Sequence, residues 1–414
     1  MQTIREALDA LLPAFRPIGV ERVVATDAVG RVLAEDVVAR IDMPSYDNSA
    51  MDGYAVRSED LRDASETHPV TLDVVGESRA GGPAPAHVGE RSAVRVFTGA
   101  VIPMGADAVV MQEDVTRDEH RAVFKGPARA GQHVRHRASD LRAGTLLVAA
   151  GSTLGPGELC ALVSQGIVAI TVAREPRVAI LATGDELRDL GEPLAPGDVA
   201  NSNAYMLAAQ VRAAGATPVV LPIGPDDPDA LAAAVREGLR ADLLLSCGGV
   251  SVGEHDYVKQ AFAAEGVTLG FWKVAMKPGK PLAFGRSASG TPVLGLPGNP
   301  VSAFVCFELF ARPAIRRMLG AASPFRPTVR ARLLREHRRQ PGRTELARAS
   351  LHRNDDGTLG ATLHTLQGSG SIPSLVACDA LVILDSRAAA LAAGTEVDAI
   401  VLGERWAARD AAGL

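Results

Sequence analysis

The residue types able to do chemistry gather between positions 246 and 300. S-C-G-G-V-S-V-G-E-H-D-Y fills 246–257, F-W-K-V-A-M-K-P-G-K-P fills 271–281, and L-G-L-P-G-N-P-V-S-A-F fills 294–304. Apolar runs at 243–245 and 293–296 each feed a small-residue turn with a helical pattern behind it. Such a turn leaves free backbone N–H groups at the positive end of a helix, which favours an anion. Gly248, Gly249 and Ser251 in the first turn, and Gly298 and Asn299 in the second, are therefore candidate anion contacts. Lys273, Lys277 and Lys280 point the same way: only five of the 43 basic residues are lysines, and three of them stand within 273–280. A compact ammonium on a flexible stem suits a site that a planar guanidinium does not serve. The stretch reads as a polyanion site.

The acidic candidates are Asp52, Glu186, Asp226, Asp227 and Asp256. Carboxylates beside a phosphate-bearing ligand usually hold Mg²⁺ between protein and substrate. The sequence has no G-x-x-x-x-G-K-[ST] loop and no G-x-G-x-x-G opening a helix after a strand. It shows no Ser/His/Asp set, no evident Cys nucleophile and no histidines at metal spacing. The implied chemistry lies at a phosphate or oxyanion centre, without a covalent protein intermediate.

Strands alternating with helices must position these groups. Strand 177–182 leads to T-G-D-E-L at 183–187, and a helix over 204–214 takes Ser202 or Asn203 as its N-cap. Strand 218–223 leads to P-D-D-P at 225–228, where Asp227 caps a helix over 230–240 with Pro228 in its first turn. The pattern predicts a doubly wound α/β domain over 177–326, with its ligand beyond the carboxyl ends of the strands. Taken singly, each acidic residue reads as a helix cap. Four polar turns converging on one sheet edge (183–186, 226–227, 248–256 and 297–300) read as a site.

The remaining chain frames this domain. M-Q-T-I-R-E-A-L-D-A-L-L opens it as an amphipathic helix and not as a signal peptide. Residues 1–40 and 143–176 form a connecting domain, interrupted by a β-rich insertion over 41–142. Within the insertion, the polar loop around Asp52 reads either as surface Asx turns or as a ligand on a strand edge. A strand at 94–97 ends at Thr98-Gly99-Ala100. G-Q-H-V-R-H-R-A-S-D at 131–140 places Arg135 and Arg137 on one strand face, a solvated edge or an oxyanion clamp with Asp140 nearby. From 327, strands at 329–334, 345–350, 359–363, 380–385 and 396–402 predict a small β-barrel, with Gln367-Gly368-Ser369-Gly370 as its one loop able to line a cleft.

Composition sets the outer bounds. With 414 residues, 47% hydrophobic content and a net charge of −5, the chain is expected to be a soluble protein of about three domains. Bulk electrostatic binding of nucleic acid or membrane is not expected at that charge. Four widely spaced cysteines without a C-x-x-C pair suit a reducing cytoplasm, and no apolar run reaches membrane-spanning length.

Six motifs then resemble one family in order: N-S-A-M-D-G-Y-A-V (48–56), F-T-G-A (97–100), T-G-D-E-L (183–187), C-G-G-V-S-V-G with D-Y (247–253, 256–257), K-P-G-K-P (277–281) and L-P-G-N-P-V-S (296–302). The chain resembles the molybdopterin molybdenumtransferase family, the MoeA type to which the enzymatic domain of gephyrin also belongs. The resemblance covers essentially the whole chain. It implies a four-domain homodimer: a doubly wound α/β domain, an inserted β-rich domain, an elongated connecting domain and a C-terminal small β-barrel. The implied activity inserts molybdate into adenylylated molybdopterin with Mg²⁺ and releases AMP. Carried over by motif, the functional positions are Asp52, Thr98, Arg135 or Arg137, Asp140, Glu186, Asp226 or Asp227, Asp256, Lys273, Lys277, Pro297 and Pro300. Asp52, Glu186 and Asp256 would hold Mg²⁺, and Lys273 and Lys277 would hold phosphate and molybdate. The resemblance further implies sites shared between subunits, and contacts with other proteins of the same biosynthesis are possible partners. Cys247 departs from the Ser or Thr expected in many relatives. Two rivals are weaker. An adenylyltransferase would be similar to 177–320 alone, and a receptor-anchoring module would call for an extra interaction linker.

Overall fold

Leu243–Cys247 is buried along its whole length, as a strand must be when both faces of its sheet are covered. It sits inside a six-stranded sheet in the spatial order Thr217–Val220, Arg177–Ala182, Leu243–Cys247, Pro292–Leu296, Pro281–Arg286, Thr268–Lys273. The first four strands are parallel, and the last two add an antiparallel edge. Side-chain alternation divides the core in two. Ala179, Leu181, Leu244 and Val293 pack with helices Pro228–Gly238 and Tyr257–Ala264. Val178, Ile180, Leu245 and Leu296 pack on the opposite face with Ser202–Ala213 and with the helical stretch that begins at Pro300–Cys306. This is the doubly wound α/β arrangement the sequence predicts.

The computed structural model describes residues 1–414 except 84, 119, 249–256, 355, 404–406, 408–414 and the side chain of Phe271. Its contacts form two compact units, Met1–Glu35 with Ala150–Leu159 and Val168–Leu414, and Asp36–Ala149 with Cys160–Ile167.

In the first unit, the N-terminal helix Ile4–Leu11 opens with a capping box between Thr3 and Glu6. Gln2 then joins the edge of the α/β sheet, donating to the Lys273 carbonyl at 3.0 Å. Val20–Val24 pairs antiparallel with Ala169–Ala173. The C-terminal strands fall close to their expected positions, at Thr328–Leu333, Thr344–Arg353, Leu359–Leu363, Ala380–Leu384 and Glu396–Val401. They close on themselves because Thr344–Arg353 pairs with both Leu359–Leu363 and Ala380–Leu384, which makes a five-stranded barrel. A sixth short strand, Met276–Lys277, leaves the α/β domain to pair with Thr344–Arg353.

The second unit is built on a sheet in the order Ala108–Met111, Gly53–Val56, Ser92–Val96, Val70–Ser78, Arg121–Phe124, Val115–Asp118. Tyr54 meets Phe124 edge-on at 6.1 Å in its core. Gly53 allows the close crossing, since a β-carbon there would stand 2.0 Å from the Val110 carbonyl oxygen.

Two local expectations are corrected. The helix expected to take Ser202 or Asn203 as its cap begins at Ser202, behind Asn201, which makes no capping bond. Asn203 instead turns its amide toward the neighbouring turn, donating to Gly298 O at 2.6 Å and Cys247 Sγ at 3.3 Å. Arg135 and Arg137 do not share a strand face, because the strand covers only Val134–Arg135. Ala138 bends the chain with φ of +59° just beyond.

Candidate active site

Three parallel strands end side by side at Ala182, Cys247 and Leu296, and their turns touch. Thr183 N–H donates to Cys247 O, and Gly248 N–H donates to Leu296 O, both at 3.3 Å. Gly248 has a φ of +103°, and a β-carbon there would lie 3.0 Å from Thr183 O. A side chain at 248 would therefore strain the turn and crowd its neighbour.

A cavity of about 750 Å³ opens over these turns. Its walls include Thr183, Glu186, Gly248, Lys277, Lys280 and the whole of Pro297-Gly298-Asn299-Pro300. The barrel supplies another wall through Gln367, Gly368, Ser369 and Arg343. Among the described lining residues, Lys277, Lys280 and Arg343 face a single carboxylate, Glu186. A cleft with three cations to one anion raises the local concentration of a polyanion, even on a chain of net charge −5.

The barrel loop is bonded to the pocket and does not merely lie near it. Val301 N–H donates to Ser369 O at 3.0 Å, and Asn299 Nδ2 donates to Ser369 Oγ at 3.2 Å. The Gln367 amide bonds Arg348 main-chain groups and His364 O, which fixes the loop's base. Lys277 reaches Glu345 of the barrel at 3.1 Å.

The floor carries Cys247, buried and bonded to Pro297 O at 3.4 Å. Burial pushes its thiol up to about 12, against a weaker opposite pull from the Asn203 amide. A thiol so held is a small polar filler and no nucleophile at neutral pH. Among the described residues, Asn201 Oδ1 and Asn203 Oδ1 are buried without a hydrogen-bond partner, and both residues line the cavity. Unpaired acceptors in such a place suit a ligand that brings donors.

Glu186 is exposed, and its carboxylate lies back over Gly184, where a β-carbon would meet Oε2 at 2.3 Å. Among the described residues it is free of ion pairs and side-chain hydrogen bonds. One or two free carboxylates beside substrate phosphate oxygens is the usual Mg²⁺ arrangement, so the residues present fit that ion. No group of three metal-binding side chains occurs among the described residues.

Other sequence candidates lie elsewhere. Lys273 ends the edge strand Thr268–Lys273 and is not part of the cavity wall. Asp227 caps helix Pro228–Gly238 through Ala230 N–H at 2.8 Å, as its position before Pro228 implies. Asp226 N–H donates to Asp185 Oδ1 at 3.0 Å. Gly249, Ser251 and Asp256 lie outside the described residues.

The second unit holds its own polar cluster. Asp52 accepts two bonds from Thr98. Arg135 and Asp140 line a separate cavity of about 320 Å³ together with Tyr46 and Asn48, whose Oδ1 is buried without a partner among the described residues. Arg137 is turned to Asp42 at 2.6 Å, and its N–H to Asp47 at 2.7 Å.

Arg343, Asn201, Asn203 and Glu345 were missed by sequence reasoning. The one available signal was charge within a barrel strand, T-E-L-A-R-A, whose Glu345 and Arg348 are both buried.

Comparison with known proteins now decides the family. Residues 2–166 match the MoeA N-terminal region (domain I and II), 179–317 match the probable molybdopterin binding domain, and 330–402 match the MoeA C-terminal region (domain IV). A molybdopterin molybdenumtransferase of Nostoc sp. is 38% identical over 89% of this chain and 86% of its own. The chain belongs to the molybdopterin molybdenumtransferase family. A second family member, from Haemophilus influenzae, is 34% identical over 96% of this chain and 98% of its own. The crystal structure of the molybdopterin biosynthesis moeA protein from Pyrococcus horikoshii OT3 superposes with a TM-score of 0.84 at 32% identity, covering 97% of this chain and all of the other. The family's three matched regions and the sequence motifs thus agree along the chain.

Proposed function

We propose that this protein acts in molybdenum cofactor biosynthesis as a molybdenumtransferase, inserting molybdate into adenylylated molybdopterin with release of AMP. Family membership supports the insertion of molybdenum. The observation that carries the finer reading is the cation-rich cavity over the turns at 183, 248 and 297, at the strand ends where doubly wound sheets bind phosphate-bearing ligands. Lys277, Lys280 and Arg343 hold the oxyanions of molybdate and of the pyrophosphate link. Asn201 and Asn203 offer acceptors to donor groups of the pterin or nucleotide.

Glu186 is the described cavity residue placed to hold Mg²⁺, with Asp256 assigned the same role by sequence and Asp52 as a third ligand. When bound, Mg²⁺ would draw charge from the phosphoanhydride oxygens as that bond is hydrolysed. The Asp52–Thr98 cluster belongs to the other unit, and the reading gives it to a site completed by a second copy of the chain. A two-fold dimer then holds two such sites. No helix among the described residues is long and apolar enough to cross a membrane, which is compatible with work in the cytoplasm.

The direct test supplies purified protein with adenylylated molybdopterin, molybdate and Mg²⁺. Molybdenum cofactor and AMP should form together, without ATP. Neither product forming from intact substrate would overturn the reading.

A further inference from the structure

Lys277 stands half in solvent in the cavity wall, yet two independent links tie it to the barrel. Its main chain pairs in parallel with the barrel strand in the register Lys277 to Glu345, and Thr344 N–H donates to Ala275 O at 3.0 Å. Its ammonium then meets the Glu345 carboxylate at 3.1 Å. Glu345 is only 2% exposed and is not itself part of the cavity wall.

Among the described residues, three groups face that carboxylate. Lys277 takes Oε1, while Arg339 Nε takes Oε2 at 2.9 Å and His337 Nε2 stands 3.8 Å from it. Burial raises the cost of charge on Glu345, but Lys277, Arg339 and His337 together hold its carboxyl below the ordinary value. The Arg339 side chain is itself buried and also donates to the carbonyls of Leu384, Asp385 and Arg343. Among the described lining residues, Arg343 is the barrel residue that brings a cation to the cavity. One buried ion pair therefore carries the attachments of two cavity cations.

We propose that Glu345 is a positioning residue, which sets the Lys277 ammonium at the cavity wall for an incoming oxyanion. An ammonium has three donors and Glu345 takes one, which leaves two for a ligand. A lysine without that anchor would sample many rotamers and lose freedom on binding. The anchoring stands on geometry alone; only its effect on molybdate use rests on the function proposed above.

The test reads the two separately. Lysine labelled at ¹³Cε gives few signals, because the chain has only five lysines, and the Lys277 signal is the one lost in Lys277→Arg. In the wild type it should show slower motion than the exposed Lys125. In Glu345→Gln that difference should vanish, and half-saturating molybdate should rise about tenfold, the usual scale for a weakened charge-assisted contact. kcat should change less, by about twofold or under, because the anchor serves binding. Glu345→Asp, which keeps the charge at shorter reach, should recover part of both effects. A wild-type Lys277 signal indistinguishable from Lys125 overturns the anchor without any Glu345 variant having to fold. So does a folded Glu345→Gln protein whose Lys277 signal is unchanged. If the signal responds but half-saturating molybdate does not, Glu345 is a structural counterion only and the positioning role is overturned.

Discussion

Asp52 and Thr98 meet through one carboxylate oxygen: Oδ1 accepts the Thr98 N–H at 2.7 Å and its hydroxyl at 2.8 Å. Among the described residues Oδ2 has no hydrogen-bond partner, so one side of the carboxylate is fixed while the other is left for a cation or substrate.

That arrangement predicts a titration. The Thr98 N–H first, then its hydroxyl, hold the Asp52 carboxyl below its ordinary value, against a weaker effect of burial and with help from Arg95. A depressed folded-state pKa stabilises the fold above the unfolded value, and the benefit is lost as pH falls through the folded value. Thr98→Val keeps the N–H and deletes the hydroxyl, so the Asp52 midpoint should move up toward an ordinary aspartate. Carboxyl ¹³C NMR measures it, and an unmoved midpoint would show that the hydroxyl contributes nothing.

A site completed by a second copy predicts complementation. Asp52→Ala and Glu186→Ala should each be inactive alone. After subunit exchange half the dimers are mixed, and each mixed dimer has one intact site. Recovery of about a quarter of wild-type turnover follows from the symmetry. Proven exchange with no recovery would mean that each site belongs to one chain.

Gly184→Ala tests the seat of Glu186. The backbone there has a φ of +138°, and the new β-carbon would lie 2.3 Å from Oε2. The side chain can swing away, so the strain falls on the backbone at about 1–3 kcal/mol, read from urea unfolding. The displaced carboxylate should raise the Mg²⁺ concentration needed for half-maximal turnover. Wild-type Mg²⁺ dependence in this variant would exclude Glu186 as a ligand held in the position seen.

Glu308 predicts a stability effect distant from the cavity. It is buried in the π-helical turn Phe307–Ala311, bonded by Gln210 Nε2 at 2.8 Å and by Arg326, whose Nη1 also donates to Leu402 O at 2.7 Å. Glu308→Ala leaves Arg326 uncompensated and should cost about 3–5 kcal/mol in urea unfolding. A loss within error of zero would mean that solvent already screens this pair.

Much of this was legible in the sequence because it is local. The turns after strands 177–182, 243–247 and 293–296 announce themselves by small residues behind apolar runs, and a parallel sheet brings such turns to one edge. Asp227 before Pro228 fixes a helix start in the same way. The barrel strands were readable by alternation, but their closure was not, because the pairing of Thr344–Arg353 with Ala380–Leu384 joins positions distant in sequence. Glu345 and Arg343 were hidden for that reason: their roles exist only once Met276–Lys277 has paired with the barrel. Asn203 was misread because cap propensity is a weak preference, and its amide finds better partners in Gly298 O and Cys247 Sγ. Arg135 and Arg137 were expected on one face because alternation was extended past the end of a two-residue strand.

Val301 gives its N–H to Ser369, and Asn299 bonds the hydroxyl of the same residue, so the barrel finishes the first turn of a helix in another domain. An α/β domain stripped of its barrel would carry a ragged helix start in the wall of its own pocket. A barrel borrowed from a relative would have to arrive with its 367–369 loop in register. Recombination near residue 326 should therefore produce crippled chimeras, and the two domains should be inherited as a single unit of selection.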